Sequence, residues 1–186
     1  MDVLQFIEAN DLAHGYDLND ILGYFKVEQL EKNQTIIPYN TIARKLFIIS
    51  EGMMRIFTIS EKGKEITYGF FKEGDVVTIS HSFFTQKPSK FILETIEPTL
   101  VSSITYDRFN QMIDQYPVLE KIKSETLLHF LNEATERIMA LQMQSAHERY
   151  NNLMQRLPEI FQRAPLGYIA SFLGITQETL SRIRAK

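Results

Sequence analysis

The sequence predicts an α+β protein built from a β-rich N-terminal domain, a long helix and a compact helical domain. Three observations lead to this fold class. Short β-prone runs fill residues 27–106, a continuous helical pattern covers residues 118–144, and two short helical patterns flank a glycine near the C-terminus. We therefore place the domain boundaries at 1–116, 117–144 and 145–186.

The composition excludes several classes of protein. The 186 residues include no cysteine, so disulfides, thiolate catalysis and cysteine-held iron–sulfur clusters are excluded. No apolar run reaches the ~18–20 residues that span a bilayer, and the N-terminus lacks a signal-peptide pattern, so we expect a cytoplasmic protein. Residues 148–186 have a net charge of +3 within a chain of −3, which leaves −6 for residues 1–147. This asymmetry favours an anion-binding C-terminal module.

A short helix and many short strands are predicted in the N-terminal part. Apolar residues between positions 18 and 25 recur at helical spacing after Asp17, a potential N-cap. The β-prone runs are separated by polar breaks, many with Gly or Pro, and comprise residues 35–37, 46–49, 53–59, 65–71, 76–79, 90–96 and 100–105. This spacing predicts an all-β sandwich or barrel, with a hairpin turn at residues 61–64.

The chain is predicted to become helical from Asp107, which we interpret as the N-cap of a short helix ending before Pro117. A longer helix follows from Val118 to about Gln144. Its apolar residues alternate spacings of four and three along a seam of Leu127, Leu131, Ala134, Ile138 and Leu141. This a/d pattern predicts a homodimer in which two such helices pair. The alternative is that the seam packs on the chain's own β-rich domain.

The last segment has the spacing Ala-x3-Gly-x5-Leu. Ala170 is small where two helices would cross, Gly174 stands where a tight turn needs a positive φ, and Leu180 is apolar where the second helix meets the first. Thr176 is the predicted N-cap of the second helix. The pattern is typical of a helix-turn-helix, whose second helix enters the major groove of DNA. The alternative is an αα corner with a solvated polar face.

The second helix of this motif has polar side chains on the face away from its apolar contacts. Arg182 suits bidentate bonding to guanine, and Glu178 suits a cytosine amino group or the orientation of Arg182. Thr176, Gln177 and Thr179 suit phosphate or sugar contacts. The predicted DNA-binding residues are therefore Thr176, Gln177, Glu178, Thr179, Ser181, Arg182 and Arg184.

The run Leu-Gly-Ile-Thr-Gln-Glu-Thr-Leu-Ser-Arg-Ile-Arg at residues 173–184 resembles the recognition element of the cyclic-AMP receptor protein/fumarate–nitrate regulator (Crp/Fnr) family of transcription factors. Residues 49–52 with Arg55, and residues 71–75, resemble that family's jelly-roll turns. The resemblance implies an N-terminal β jelly-roll of the cyclic-nucleotide-binding type, a long dimerisation helix and a winged-helix-like C-terminal domain. It further implies a bacterial homodimer that binds a palindromic operator in double-stranded DNA, with RNA polymerase as a further candidate partner.

The sequence departs from the cyclic-nucleotide site of that family. Members that bind cyclic nucleotides have a glutamate for the ribose and an arginine for the phosphate after the Gly-Asp turn. Here isoleucine stands in place of the acidic residue and lysine in place of the arginine, so we expect no cyclic AMP binding in the usual manner. Another effector, or none, fits better. The predicted effector pocket comprises Gly74, Asp75, Ile79, His81, Ser89 and Lys90.

Other functions have less support in the sequence. The sequence has four histidines without the paired spacing of metal ligands: His14, His81, His129 and His147. We therefore predict no haem, no other cofactor and no metal. No enzyme motif is recognised. The main rival hypothesis is a ligand- or protein-binding sensor module with a vestigial helix-turn-helix. Family members continue into a β-wing, whereas this sequence stops at Lys186, so we expect a missing wing in a chain that is either naturally short or truncated.

Overall fold

The computed structural model of the chain describes residues 17–185, apart from the side chains of residues 122, 126 and 129. Its N-terminal domain contains, in order, α1 (Leu18–Leu22), β1 (Lys26–Leu30), β2 (Thr35–Ile37), β3 (Lys45–Glu51), β4 (Met54–Ile59), β5 (Glu65–Phe71), β6 (Val76–Val77), α2 (Ser80–Thr85), β7 (Phe91–Thr95) and β8 (Thr99–Thr105). The helical part contains α3 (Tyr106–Gln115), α4 (Leu119–Met143), α5 (Ala146–Arg156), α6 (Ile160–Arg163), α7 (Leu166–Leu173) and α8 (Gln177–Arg184).

The strands of the described region form two antiparallel sheets of four, with the orders β1-β8-β3-β6 and β2-β7-β4-β5. Their inward side chains, such as Ile49, Met54 and Leu93, are fully buried in one apolar cluster, and α1, α2 and α3 pack on it. The predicted α+β fold class, with a β jelly-roll followed by helices, is confirmed. In the described residues, no helix combines the length and the apolar character that a membrane crossing requires.

Several local predictions are confirmed by hydrogen bonds. The Asp17 side chain accepts from the amide of Asn19 at 2.9 Å and caps α1. The turn at residues 61–64 joins β4 to β5: the Ser60 amide donates to the Lys64 carbonyl at 2.9 Å, and Gly63 has a φ of +75°. The long helix α4 lies within one residue of its predicted limits at both ends.

One local expectation differs from the structure, and two of its elements have no counterpart in the sequence pattern. The N-cap of α3 is Thr105, whose hydroxyl accepts from the Arg108 amide at 3.4 Å, so the assignment of Asp107 as N-cap is wrong. Asp107 lies in the first turn instead. The edge strand β1 was not predicted because charged and polar residues dominate it, and its Val27 is 67% exposed. The helix α2 was not predicted because six residues are too few for a periodic signal.

The α4 seam is largely uncovered within the single chain. Of its members, Leu131 is 61% exposed, Ile138 is 56% exposed, and Leu127 and Leu141 are 37% and 44% exposed. Ala134 is half-buried. The seam therefore does not pack on the jelly-roll of its own chain, which was the alternative interpretation of the sequence.

Candidate nucleic-acid interface

The turn between α7 and α8 depends on the left-handed backbone of Gly174. Gly174 has a φ of +67° and caps α7, with its amide donating to the Ser171 carbonyl at 3.1 Å. The next amide, of Ile175, donates to the Ala170 carbonyl at 3.0 Å, which closes the end of the helix. Ala170 is 2% exposed and Leu180 is fully buried, so the two short helices meet through an apolar contact.

The N-terminus of α8 is closed by a side-chain cap. The Thr176 hydroxyl accepts from the Thr179 amide at 3.2 Å, and the two threonine hydroxyl oxygens are also 3.2 Å apart. A hydrogen bond from the Thr176 side chain lowers the pKa of the Glu178 carboxyl, which therefore remains charged at neutral pH. The remaining amides of this first turn point out of the helix end, where a phosphate would be favourable.

The outer face of α8 is polar and open to solvent. Gln177, Glu178, Ser181 and Arg182 are all exposed, whereas Leu180 on the inner face is fully buried. Across the described part of the chain, no carboxylate lies within ion-pair distance of Arg182, whose Nε is 3.5 Å from the Glu178 carbonyl oxygen. This guanidinium is therefore available to an external acceptor.

Two of the predicted DNA-binding side chains also contact their own domain. The guanidinium carbon of Arg184 lies 4.5 Å from the ring centroid of Phe161, so this arginine is held beside α6. Gln177 reaches back over α7: a Cβ added at Gly167 would lie 2.6 Å from its Nε2. Thr179 is half-buried beneath the cap. Of the predicted set, Glu178, Ser181 and Arg182 project most freely from the domain.

The first helix of the motif, α7, packs against strand β5 of the jelly-roll. Ser171 connects the two: its hydroxyl oxygen accepts from the Thr67 amide at 2.9 Å and its hydroxyl donates to the Glu65 carbonyl at 3.0 Å. The Phe70 and Phe172 rings are 5.5 Å apart beside this contact. Helix α8 is thus attached to the jelly-roll through α7.

A buried arginine reinforces this junction. Arg55 is 1% exposed, with Nε 2.6 Å from a Glu94 oxygen and Nη2 2.5 Å from a Glu65 oxygen. Its guanidinium carbon lies 3.2 Å from the Tyr168 ring centroid and 4.0 Å from that of Phe57. The charge of Arg55 is therefore compensated within the sheet, while its outer face stacks on the helix-turn-helix domain.

A second set of ion pairs joins α6 to two turns of the jelly-roll. Arg163 Nη2 is 2.7 Å from a Glu73 oxygen, and its Nε donates to a Glu97 oxygen at 3.0 Å. Burial works against the charged form of Glu73, but hydrogen bonds from Arg163 and from the Gly52 amide lower the pKa of the carboxyl below its usual value. The junction is therefore held by charged groups as well as apolar contacts.

The predicted effector-pocket residues occupy different environments. Gly74 and Asp75 form the turn beside Ile49, whose carbonyl accepts from Gly74 at 2.8 Å. Ile79 is 5% exposed and belongs to the jelly-roll core. His81 and Lys90 are exposed and Ser89 is half-buried, with its hydroxyl oxygen accepting from the Phe91 amide at 3.2 Å. The core position of Ile79 leaves no acidic group there for a ribose hydroxyl.

Two of the histidines fall outside what the structure describes, namely His14 and the side chain of His129. His81 is exposed, and the His147 ring stacks on Tyr150 with 6.4 Å between centroids. Within residues 17–185, no group of three or more His, Asp or Glu side chains is arranged to hold a metal ion.

Two arginines at the domain junction, Arg137 and Arg149, are not predicted from the sequence. Arg137 on α4 donates to the carbonyls of Thr67 and Phe172, and Arg149 on α5 donates to that of Leu173. Their contacts join segments up to 70 residues apart. Only the spacing of Arg137 from the seam, on another face of α4, could have pointed to a separate role.

Known proteins resemble both the N-terminal β-rich domain and most of the whole chain. A family model for the cyclic nucleotide-binding domain matches residues 27–116. The fumarate and nitrate reduction regulatory protein of Vibrio cholerae serotype O1 is 25% identical over 165 residues, covering 83% of this chain and 65% of that protein. FixK2 from Bradyrhizobium japonicum superposes with a TM-score of 0.71 at 19% identity, over 87% of this chain and 83% of that one.

The chain therefore resembles regulators of the Crp/Fnr type. The catabolite activator protein of Thermus thermophilus has the same fold, with a TM-score of 0.59 at 19% identity over 94% of this chain and 84% of that one. The chain spans 63–65% of the length of the first curated relatives it matches. Those relatives are regulatory proteins, and the structural likeness establishes the shared fold.

Proposed function

We propose that this chain is a regulator of the Crp/Fnr type: a homodimeric, sequence-specific DNA-binding transcription regulator controlled through its jelly-roll domain. The observation that supports the proposal is the face of α8. Glu178, Ser181 and Arg182 are exposed on a helix whose opposite side, at Leu180, is fully buried against α7. A second helix presented in this way fits the major groove, which admits one α-helix and displays a distinct pattern for each base pair.

The roles within α8 follow from what each side chain can donate or accept. Arg182, which has no carboxylate partner among the described residues, supplies a fork of donors for guanine. Glu178, charged at neutral pH, accepts from a cytosine amino group or orients Arg182. Thr176, Gln177 and Thr179 surround the start of the helix, where phosphate contacts would fix the register.

Ser181 and Arg184 complete the proposed DNA-binding set. Ser181 lies on the exposed face next to Arg182, where its hydroxyl can contact a base edge or the sugar-phosphate backbone. Arg184 lies at the end of the helix beside Phe161, so it suits a phosphate at the edge of the contact. Most of the affinity would come from such phosphate contacts and most of the discrimination from Arg182 and Glu178.

The homodimer is proposed to form through the exposed seam of α4. A stripe with Leu131 at 61% and Ile138 at 56% exposure is unfavourable in water, and pairing with a second copy would bury it. Two α8 helices related by the dimer axis would then enter successive major grooves about 34 Å apart. The operator would accordingly be a palindrome.

The effector of the jelly-roll is proposed not to be cyclic AMP bound in the family's manner, because Ile79 fills the core where the ribose acceptor would stand. The pocket predicted around Gly74, Asp75, Ile79, His81, Ser89 and Lys90 stays a prediction. RNA polymerase likewise stays a candidate partner. A signal in the jelly-roll would reach α8 through the contact of Thr67 with Ser171 on α7.

The experiment that tests the proposal is selection from a random DNA pool at near-physiological salt, followed by sequencing. We expect an enriched palindrome with half-sites about 10–11 base pairs apart. Arg182→Ala should relax the preference at one base pair of each half-site and cost about 1–3 kcal/mol. Arg44→Ala is the matched control, because it removes the same charge from an exposed position in the jelly-roll.

The outcomes of this selection separate the two candidate functions. Enrichment that is lost or relaxed with Arg182→Ala but kept with Arg44→Ala supports a reader of base sequence. Equal losses on selected and random DNA would show that Arg182 touches only the backbone. If no sequence is enriched, including with a chain extended beyond Lys186, the DNA-binding proposal is wrong. A sensor module with a vestigial helix-turn-helix would then be favoured.

A further inference from the structure

A cavity of about 630 Å³ lies where the jelly-roll, α4 and the helix-turn-helix domain meet. Its walls come from β5, the second half of α4, α5 and the end of α7. Apolar side chains form much of them, including Met139, Leu141, Leu157 and Phe172. The volume is within the ~300–1,000 Å³ typical of small-molecule pockets. The cavity is therefore large enough for a ligand, and it lies outside the predicted effector pocket.

Two arginines on these walls lack carboxylate partners. Arg137 Nη2 donates to the carbonyls of Thr67 at 3.2 Å and Phe172 at 2.8 Å, and its guanidinium carbon lies 4.2 Å from the Phe172 ring centroid. Arg149 donates to the carbonyls of Leu173 at 2.9 Å and Gln144 at 2.5 Å. Among the side chains that the structure describes, no carboxylate lies within 4.0 Å of either guanidinium.

The other arginines of the domain junction contrast with this pair. Arg55 contacts two glutamates and Arg163 contacts three, and Arg156, also on the cavity wall, pairs with Glu133. The remaining acidic residue of the wall, Glu136, is exposed. Because Glu133 pairs with Arg156, it does not compensate the positive charges of Arg137 and Arg149 on the cavity wall.

The charge of Arg137 has no carboxylate partner among the described residues and lies in a partly buried environment. Burial lowers the pKa of this guanidinium; Tyr68 raises it and the nearby positive charge of Arg149 lowers it. Both described hydrogen bonds of Arg137 use Nη2, so within residues 17–185 its Nε and Nη1 have no acceptor. An anion in the cavity would satisfy these donors and compensate the charge.

We propose that the cavity binds a small amphipathic carboxylate, with its apolar body against Leu141 and Phe172 and its carboxylate at Arg137 and Arg149. The ligand would be a medium-chain fatty acid or a molecule of the same chemistry. The cavity face of α4, which includes Arg137, Ala140 and Gln144, lies roughly 110° around the helix from the seam. The carboxylate site therefore lies on a different face of α4 from the centre of the seam, whereas Leu141 belongs both to the seam and to the cavity wall.

The position of the cavity links it to the helix-turn-helix. A Cβ added at Gly174 would lie 3.1 Å from Leu141 Cδ2, so the wall of the cavity touches the turn before α8. Phe172, another residue of the cavity wall, belongs to α7. An occupant that displaces either side chain would change the setting of α8. This effector role rests on the proposed DNA-binding function, whereas the binding site itself does not.

The binding test uses the full chain with decanoate as the probe and 1-decanol as its uncharged counterpart. We expect saturable binding of one decanoate per chain by calorimetry, with decanol at least tenfold weaker. Arg137→Met, which keeps an unbranched apolar stem and removes the guanidinium, should weaken decanoate at least tenfold, and Arg44→Met should leave it unchanged. The proposal is overturned if decanoate does not bind, if decanol binds equally well, or if Arg137→Met binds decanoate like the parent.

A second variant guards against loss of folding in Arg137→Met. The chain contains no tryptophan, so Met139→Trp, on the cavity wall and 52% exposed, places a single reporter there. Its emission should shift with decanoate in the same saturable manner, and an unchanged emission would count against the site.

The effector role is measured separately, as the change in affinity for a selected operator. An unchanged affinity at saturating decanoate would refute the effector role while the binding site stands. Failure of DNA selection would instead refute the proposed function without affecting the calorimetry.

Discussion

The stack of Arg55 on Tyr168 should couple the jelly-roll to the helix-turn-helix domain, and a double-mutant cycle can measure this coupling. The two variants are Arg55→Met and Tyr168→Leu. Arg55 is 1% exposed and its partner Glu94 is 14% exposed at the side chain, so Arg55→Met leaves a largely buried carboxylate without its cation. Removal of one partner from a buried pair costs about 3–5 kcal/mol.

The contact of Arg55 with Tyr168 accounts for a smaller part of this loss in free energy of unfolding. A desolvated cation–π contact contributes about 2 kcal/mol, and the guanidinium carbon here lies 3.2 Å from the ring centroid. Once Arg55 is absent, Tyr168→Leu no longer removes this contact. The double variant should therefore be less destabilised than the sum of the two singles by about 1–2 kcal/mol.

The free energy of unfolding of the four proteins would be obtained from urea denaturation followed by far-UV circular dichroism, because the chain has no tryptophan for fluorescence. Arg55→Met combined with Tyr39→Leu is the matched control. Tyr39 is 46% exposed, and we expect its effect to add to that of Arg55→Met. A coupling below about 0.5 kcal/mol between Arg55 and Tyr168 would refute the stack as a contribution to stability.

Three further changes test other parts of the structure. Leu131→Glu should convert a dimer to monomers in sedimentation, whereas Asn132→Glu, next to the seam, should not; dissociation by both or neither would contradict pairing through α4. Gly174→Ala forces a side chain into a φ of +67° and should cost about 1–2 kcal/mol in thermal unfolding, and an unchanged melting temperature would contradict the turn. Because the folded-state pKa of Glu73 is lowered, its pair with Arg163 stabilises above the unfolded pKa of about 4.3 and is lost as pH falls below it. Glu73→Gln should therefore reduce the fall in melting temperature as the pH is lowered through this range. An equal fall in both proteins would contradict the pairing.

The elements that the sequence predicts well are those with a local cause. Gly174 stands where only a positive φ closes the turn, and Asp17 and Thr176 are short polar residues just before helical patterns, so their roles can be read from their neighbours. The seam of α4 is likewise predictable, because a repeat of four and three residues persists over its length. These features need no knowledge of the rest of the chain.

The elements that the sequence does not predict depend on distant partners. The N-cap of α3 could be placed at Thr105 or Asp107 by type alone, and β8, which ends at Thr105, decides it. Arg137 looks like an ordinary helix-surface residue until α7 and β5 enclose it. The cavity exists only because β5, α7 and the consecutive helices α4 and α5 leave space between them. Tertiary packing, rather than local preference, therefore determines the ligand site that we propose.

The most direct test of the central claim is the affinity for a selected palindrome compared with versions in which the half-sites are moved apart. An insertion of about five base pairs rotates one half-site by half a helical turn, out of reach of a dimer with fixed α8 helices. The account predicts that affinity falls to the level of random DNA with this insertion, and that Leu131→Glu binds both versions equally weakly. Equal tight binding of the parent chain to the palindrome and to the five-base-pair insertion would contradict a dimer that reads two half-sites.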